Sequence, residues 1–142
     1  MKENRYDDQE FFDRYAEMAR SRKGLSGAGE WPVLKEMLPD LQGCRMLDLG
    51  CGYGWHCRYA VDQGASAVVG IDISERMLQK AKQLGDDPRI TYVRTAMEDV
   101  CFPPESFDVV ISSLAFHYVE DLQPLFRAVF RMLAPGGKFV FS

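Results

Sequence analysis

The sequence contains few of the residues that build metal sites, disulfide frameworks or redox centres. Its 142 residues include four cysteines, none of them in a C-x-x-C pair, and only two histidines. This scarcity argues against a zinc site, a redox dithiol or a disulfide framework. We therefore predict that no metal is bound and that the cysteines are reduced residues of a cytoplasmic protein.

Long apolar runs and a strong charge of one sign are also missing. The longest apolar stretches fall well below the ~18 residues that suggest a membrane-spanning helix. The N-terminus, M-K-E-N-R-Y-D-D, lacks the apolar core of a signal peptide. The net charge is only −4, and the basic cluster of Arg20, Arg22 and Lys23 is offset by nearby acids. The sequence thus indicates neither a membrane anchor nor a nucleic-acid surface.

The most strongly patterned segment that is present runs from Met46 to Gly54, M-L-D-L-G-C-G-Y-G, where a short apolar run leads into alternating glycines. Glycine has no Cβ, so the backbone can bend sharply here and come close to a ligand. Asp72 ends the next apolar run, 18 residues after Gly54. An acid about 20 residues beyond a glycine turn is placed to accept the two hydroxyls of a ribose. These features predict a strand that leads into a nucleotide-binding turn.

The glycine spacing distinguishes between two kinds of cofactor. A dinucleotide site has the pattern G-x-G-x-x-G, and the third glycine of that pattern falls where this chain has Trp55. With Asp48 ahead of the glycines, D-L-G-C-G-Y-G instead resembles motif I of the class I S-adenosylmethionine-dependent methyltransferases. Two later segments, Ala96 to Val119 and Leu133 to Ser142, resemble the family's stretch from the adenine loop through the fourth strand and its turn into the fifth. The resemblance covers residues 44–142 and implies S-adenosylmethionine as cofactor and S-adenosylhomocysteine as product.

Apolar periodicity predicts the fold. Short apolar strands alternate with amphipathic helices from Arg45 onward, which is typical of an α/β, Rossmann-like, mostly parallel sheet with helices on both faces. Residues 1–43 are predicted to form an N-terminal helical lid, and residues 44–142 the S-adenosylmethionine-binding domain of a single compact unit. Five strands are expected at 45–49, 67–71, 90–94, 107–113 and 137–142, with helices near 54–63, 74–84 and 120–133. In the lid, one helix ends near Arg20 and a second opens at Trp31 and Pro32.

The resemblance implies a cofactor site around the glycine turn, at Asp48, Gly50, Cys51, Gly52, Asp72 and Ile73. The backbone at Gly50 and Gly52 would lie against the methionine part and the ribose. Asp48 would reach the ammonium group directly or through water, Asp72 would hold the ribose hydroxyls, and Ile73 would pack on the adenine face. Structural alternatives stay open: Asp48 as a strand-end acid bonded to the turn, Asp72 as a helix cap, and Ile73 as a core residue.

The adenine edge is assigned to Met97 and Glu98. Many relatives carry an aspartate just before this pair, whereas this chain has Thr95 and Ala96. The contact therefore stays open between backbone N–H groups near Met97 and the carboxylate of Glu98 or Asp99.

The segment after the fourth strand would complete the site. Ser113 and Leu114 would line the methionine and sulfonium of the cofactor. His117 is the only credible catalytic base, with a histidine bonded to backbone at a helix start as the alternative.

We expect a methyltransferase that acts on a small-molecule acceptor, because the chain lacks a basic groove and an N-P-P-Y type tetrapeptide. A non-catalytic or truncated S-adenosylmethionine-binding module is the alternative, and an NAD-dependent oxidoreductase is a weaker one. The family's sheet has seven strands, whereas this sequence stops within the fifth, so we expect a fragment or a reduced version. A homodimer through an exposed C-terminal strand is then expected.

Overall fold

Five short segments pair into one parallel sheet in the computed structural model, which describes residues 31–113 and 121–141. The elements, in chain order, are α1 (Trp31–Met37), β1 (Arg45–Leu49), α2 (Trp55–Asp62), β2 (Ala67–Asp72), α3 (Glu75–Leu84), β3 (Ile90–Arg94), a 3₁₀ turn (Met97–Asp99), β4 (Phe107–Ser112), α4 (Leu122–Met132) and β5 (Leu133–Phe141). This arrangement confirms the predicted Rossmann-like α/β class with five strands.

The strand order is β3-β2-β1-β4-β5, so the chain first builds outward from β1 and then crosses to the other side of that strand. In open α/β sheets, the carboxyl ends of the strands on either side of such a reversal form a ligand crevice. The glycine turn follows β1 directly and therefore lies at this reversal.

Two apolar layers cover the sheet. One layer contains buried residues of β1 and β2 together with α1, α2 and α3, among them Leu34, Ala60 and Leu78. The opposite layer is formed by α4 and residues around the 3₁₀ turn. β1 is covered on both faces, because Met46 is buried in the first layer and Leu47 in the opposite one. This explains why the strand reads as a nearly continuous apolar run.

Polar contacts join β1 and β4 at both ends of this strand pair. At the amino end, Arg45 forms an ion pair with Asp108, with Nε and Oδ2 3.1 Å apart. At the carboxyl end, the buried hydroxyl of Ser112 donates to the carbonyl oxygen of Leu49 at 3.0 Å. These contacts hold the two sides of the crevice in register.

Capping residues mark the helix boundaries. Ser74 caps α3 by accepting the Met77 N–H at 3.2 Å, and Asp121 caps α4 by accepting the Gln123 N–H at 3.1 Å. Gly64, which has a φ of 93°, follows the end of α2. The last strand differs from the prediction, because β5 begins at Leu133 rather than at residue 137.

The early start of β5 comes from an irregular ladder. Leu133 pairs with Phe107 and Lys138 pairs with Val109. Between these two pairs the chain moves five residues along β5 but only two along β4. The segment P-G-G lies within this bulge; its proline has no N–H to give to the ladder, and Gly136 has a φ of 78°. The sequence signal for a turn was correct, but the turn lies inside the strand. β5 is at one edge of the described sheet, and the homodimer through it stays a prediction.

The second predicted lid helix is present as α1, and it packs beside α2. The Trp31 ring contacts Tyr59 edge to face, with centroids 4.8 Å apart, and Leu34 is buried in the layer that includes Val140 of β5. The first lid helix lies outside the described residues, and the assignment of 1–43 as a lid stays a prediction. Within the described ranges, no helix is both long and apolar enough to cross a membrane.

Asp48 is an acid inside this core. Its side chain is 1% exposed, and its Oδ2 accepts a hydrogen bond from the Cys57 thiol at 3.5 Å. Burial raises the pKa of the Asp48 carboxyl to about 7, and the nearby Asp72 adds to the rise, while the bond from Cys57 opposes it. The folded state therefore binds this proton more tightly than the unfolded chain does.

We expect this carboxyl to make the fold less stable as pH rises from about 4 to about 7, because the unfolded chain then releases a proton that the folded state retains. Asp48→Asn should remove this pH dependence of stability. The unfolding free energy of the variant minus that of the parent should therefore increase by on the order of a few kcal/mol as pH rises from about 4 to about 7. Urea unfolding of both proteins at several pH values measures the difference.

Asp108→Asn is the matched control. In the parent protein, the hydrogen bond from Arg45 lowers the pKa of the Asp108 carboxyl. The contribution of this carboxylate to stability is therefore lost as pH falls through that lowered value. A difference in unfolding free energy between the parent and Asp48→Asn that stays constant between pH 4 and 7 would contradict the raised pKa of Asp48.

Candidate functional site

The glycine turn adopts a backbone path that ordinary residues avoid. Gly50, Gly52 and Gly54 have φ angles of 73°, 53° and 77°, all in the left-handed region. The Cys51 N–H, in the middle of the turn, donates to the carbonyl oxygen of Ile71 at 2.8 Å. The turn is therefore fixed to the end of β2, and glycine at three of its positions leaves the backbone there without a Cβ.

The carboxylate of Asp72 joins the glycine turn to the helix that follows β2. Its Oδ2 accepts the Gly52 N–H and its Oδ1 accepts the Ser74 N–H, both at 2.9 Å. Hydrogen bonds to a charged acceptor are stronger than those between neutral groups. A carboxylate accepts up to about four hydrogen bonds, so these two bonds do not by themselves exclude a contact with a ligand. The helix-cap alternative and the ribose role are thus compatible.

Asp48 lies beneath the turn. The hydrogen bond to its carboxylate comes from Cys57, the third residue of α2, and a ligand above the turn has no direct path to a side chain that is 1% exposed. The contact with an ammonium group stays a prediction. Cys51 is also buried, at 6% exposure, and burial raises the pKa of its thiol well above the usual value.

The predicted adenine side lies at the carboxyl ends of β2 and β3. The Thr95 N–H donates to the carbonyl oxygen of Asp72 at 3.1 Å, which brings the two strand ends together. Ile73 is half-buried, and its carbonyl oxygen accepts from Arg94 Nε at 3.1 Å. Met97 packs on the apolar layer beside α4, whereas Glu98 is exposed. The structure thus brings Ile73, Met97 and Glu98 to the same edge of the sheet as Asp72.

On the other side of the crevice, Ser113 follows β4 and is half-buried. Leu114 and His117 lie outside the described residues. Ser112 was not predicted as a site residue, but its hydroxyl fixes the end of β4 to the residue before the glycine turn. A serine within the apolar run F-D-V-V-I-S was the available signal.

Tyr92 of β3 and Arg58 of α2 were also not predicted from the sequence. A Cβ on Gly54 would overlap the Tyr92 hydroxyl oxygen and would lie 3.0 Å from Arg58 Nη1. The two side chains therefore lie directly against the underside of the turn. No local pattern could reveal this, because the contact depends on how β3, β2 and β1 pair.

Comparison with known proteins gives one consistent result. The chain is 54% identical to an S-adenosylmethionine-dependent methyltransferase from Mesorhizobium loti, with a TM-score of 0.81 over 83% of this chain and 55% of that one. It is 36% identical over 112 residues to the malonyl-(acyl-carrier protein) O-methyltransferase of Enterobacter lignolyticus, covering 78% of this chain and 43% of the relative.

A second similar structure is that of Haemonchus contortus phosphoethanolamine N-methyltransferase 2 in complex with S-adenosyl-L-methionine. It is 29% identical, with a TM-score of 0.79 over 96% of this chain and 34% of that one. This chain spans about half the length of these relatives, or less. A family described as a methyltransferase domain matches residues 47–141. With the turn, the acid at the end of β2 and the strand order, this match shows that the chain belongs to the class I S-adenosylmethionine-dependent methyltransferases.

Proposed function

We propose that this chain binds S-adenosylmethionine at the carboxyl ends of β1, β2 and β3, and that it directs the methyl group to a small-molecule acceptor. The observation that carries the proposal is the Asp72 carboxylate, held at 2.9 Å by the N–H groups of Gly52 and Ser74. This carboxylate is an oriented acceptor for ribose hydroxyls, and it adjoins a turn in which three glycines leave the backbone without a Cβ.

The described residues suit this cofactor. When bound, S-adenosylmethionine supplies a methyl group on a positively charged sulfur, which is already a good leaving group. Gly50 and Gly52 would let the backbone lie against the methionine part and the ribose, with Cys51 holding the turn through its N–H. Ile73 would pack on the adenine face, and Met97 and Glu98 would border its edge. Asp48 would support the turn from below.

The acceptor would approach from the β4 side. Ser113 and Leu114 would line this side, and His117 would take a proton from an acceptor that is protonated. A small-molecule acceptor is supported by the phosphoethanolamine N-methyltransferase among the similar proteins and by the weak net charge of the chain. All four cysteines are free thiols, which supports a cytoplasmic setting.

The experiment that tests the proposal is calorimetry with S-adenosylmethionine, S-adenosylhomocysteine and NAD in parallel. Binding of the first two but not of NAD supports it. Binding of NAD alone would favour an oxidoreductase. Tight binding of S-adenosylmethionine without methyl transfer to any of a pool of small acceptors would favour a non-catalytic binding module.

We predict that Asp72→Ala weakens S-adenosylhomocysteine binding by tenfold to several hundredfold or more, because it removes charge-assisted hydrogen bonds worth roughly 1.5–3 kcal/mol each. Calorimetry measures the dissociation constant, and circular dichroism checks that the fold is kept. Asp87→Asn is the control, since this acid pairs with Arg89 before β3, away from the turn. An unchanged dissociation constant in Asp72→Ala would remove Asp72 from the site.

We also predict that His117→Ala lowers the turnover number by about 10²-fold with little change in cofactor affinity, as expected for a lost general base. Steady-state kinetics on the full-length protein measures kcat and KM. His56→Ala is the matched control, because the other histidine packs against the Trp31 ring at 5.4 Å. A loss of stability that parallels the loss of activity would instead indicate a structural histidine.

A further inference from the structure

Three glycines from different segments make room for one group of side chains beneath the glycine turn. The group consists of Cys51, Cys57, Arg58 and Tyr92, and we refer to it as the sub-turn cluster. A Cβ on Gly70 would lie 2.9 Å from Cys57 Sγ, one on Gly85 would lie 2.9 Å from Arg58 Cδ, and one on Gly54 would overlap Tyr92 Oη. Real Cβ atoms do not approach other atoms this closely, so the cluster fits only because these three residues lack side chains.

Sheet register places Tyr92 in this cluster. Asp48 pairs with Gly70, and Gly70 pairs with Tyr92. Paired residues of parallel strands point to the same face, so the three positions form a row beneath α2. Because Gly70 leaves a gap in the middle of the row, the thiols of Cys51 and Cys57 fill it, and the Tyr92 ring lies beside them.

Arg58 is held in the cluster by contacts with two helices. Its Nη1 donates to the carbonyl oxygen of Ala81 in α3 at 3.2 Å. Its guanidinium stacks on the Trp55 ring, 4.6 Å from the centroid, which is within the usual range of a cation–π contact. Its position next to the turn is therefore well determined.

Two polar atoms of the cluster are buried without compensation. Within the part of the chain that the structure describes, Arg58 Nη2 and Tyr92 Oη have no hydrogen-bond partner. A buried hydroxyl without a partner lowers stability, and phenylalanine would keep the ring while avoiding this cost. The Tyr92 hydroxyl therefore does not serve the stability of the unliganded fold.

The hydroxyl does contact the backbone that leads to the proposed cofactor site. It lies against Gly54, whose N–H donates to the carbonyl oxygen of Cys51 at 2.9 Å. The next glycine of the turn, Gly52, donates to Asp72 Oδ2 at 2.9 Å. A shift of Gly54 toward β3 would thus move Gly52 and disturb the orientation of Asp72.

We propose that Tyr92 is a positioning residue for cofactor binding, whose hydroxyl supports Gly54 from below and keeps the glycine turn and Asp72 in their binding geometry. Residue 54 is glycine, on this view, because the Tyr92 hydroxyl occupies the place of its Cβ. The inference rests on the proposed function, since it assumes that the turn and Asp72 hold the cofactor.

The first test is Tyr92→Phe in the full-length protein. We expect the midpoint of thermal unfolding to rise by about 2 °C or more, because an unpaired buried hydroxyl is removed. The dissociation constant of S-adenosylhomocysteine should increase roughly fivefold to tenfold, because the turn then occupies its binding position for only part of the time. Opposite changes in stability and affinity are the signature that a purely structural role does not produce.

The second test separates the contact from backbone strain. Gly43 has a φ of 73°, nearly that of Gly54, and nothing lies within 4 Å of its added Cβ. Gly43→Ala therefore measures the left-handed backbone cost alone, and Gly54→Ala measures that cost plus the overlap with Tyr92. We expect Gly54→Ala to bind S-adenosylhomocysteine much more weakly than Gly43→Ala, and Gly54→Ala/Tyr92→Phe to recover part of the loss.

The outcomes distinguish the two proposals. A parent protein that binds no S-adenosylhomocysteine would overturn the proposed function. A parent that binds it, with Tyr92→Phe unchanged in affinity or reduced equally in stability and affinity, would overturn the positioning role alone. Equal effects of Gly54→Ala and Gly43→Ala would do the same. If Gly54→Ala does not fold, the Tyr92→Phe comparison still decides.

Discussion

The arrangement of the described site depends on the pair of hydrogen bonds that Asp72 accepts from Gly52 and Ser74. The three glycines of the turn have no side chains with which to fix its shape, so groups outside the turn must help to hold it. The carboxylate at the end of β2 provides an acceptor for the turn and also orients the start of α3. One charged group thus links the glycine turn to both β2 and the helix that follows it.

Polar groups also lie beneath the glycine turn, on the side away from the proposed cofactor. Asp48 and the sub-turn cluster lie in the layer whose other buried residues are apolar, including Leu78 and Val68. Burying a carboxyl and a phenol lowers the stability of the free fold. Structures commonly accept such a cost near a functional site, where geometry matters more than stability.

The sequence was sufficient to predict the strands, because β1 and β4 are buried on both faces and must be apolar along their length. It also located Asp72, since the end of an apolar run and the distance from the glycines are both visible in the chain. It misjudged the start of β5, because P-G-G signals a turn without showing whether the ladder resumes around it. It could not reveal Tyr92 under Gly54, because that contact requires the register of three strands together with the missing side chain at Gly70.

The polar contacts that join β1 to β4 bear on the order in which the molecule folds. The Arg45–Asp108 pair and the Ser112–Leu49 bond each join residues that are 63 positions apart, whereas the Asp72 anchor spans 20. Contacts between distant parts of a chain form late, because a long loop must close first. We therefore expect β1, β2 and the glycine turn to assemble through contacts of shorter range before β4 pairs with β1. On that expectation, the β4 side of the crevice is added as a later step.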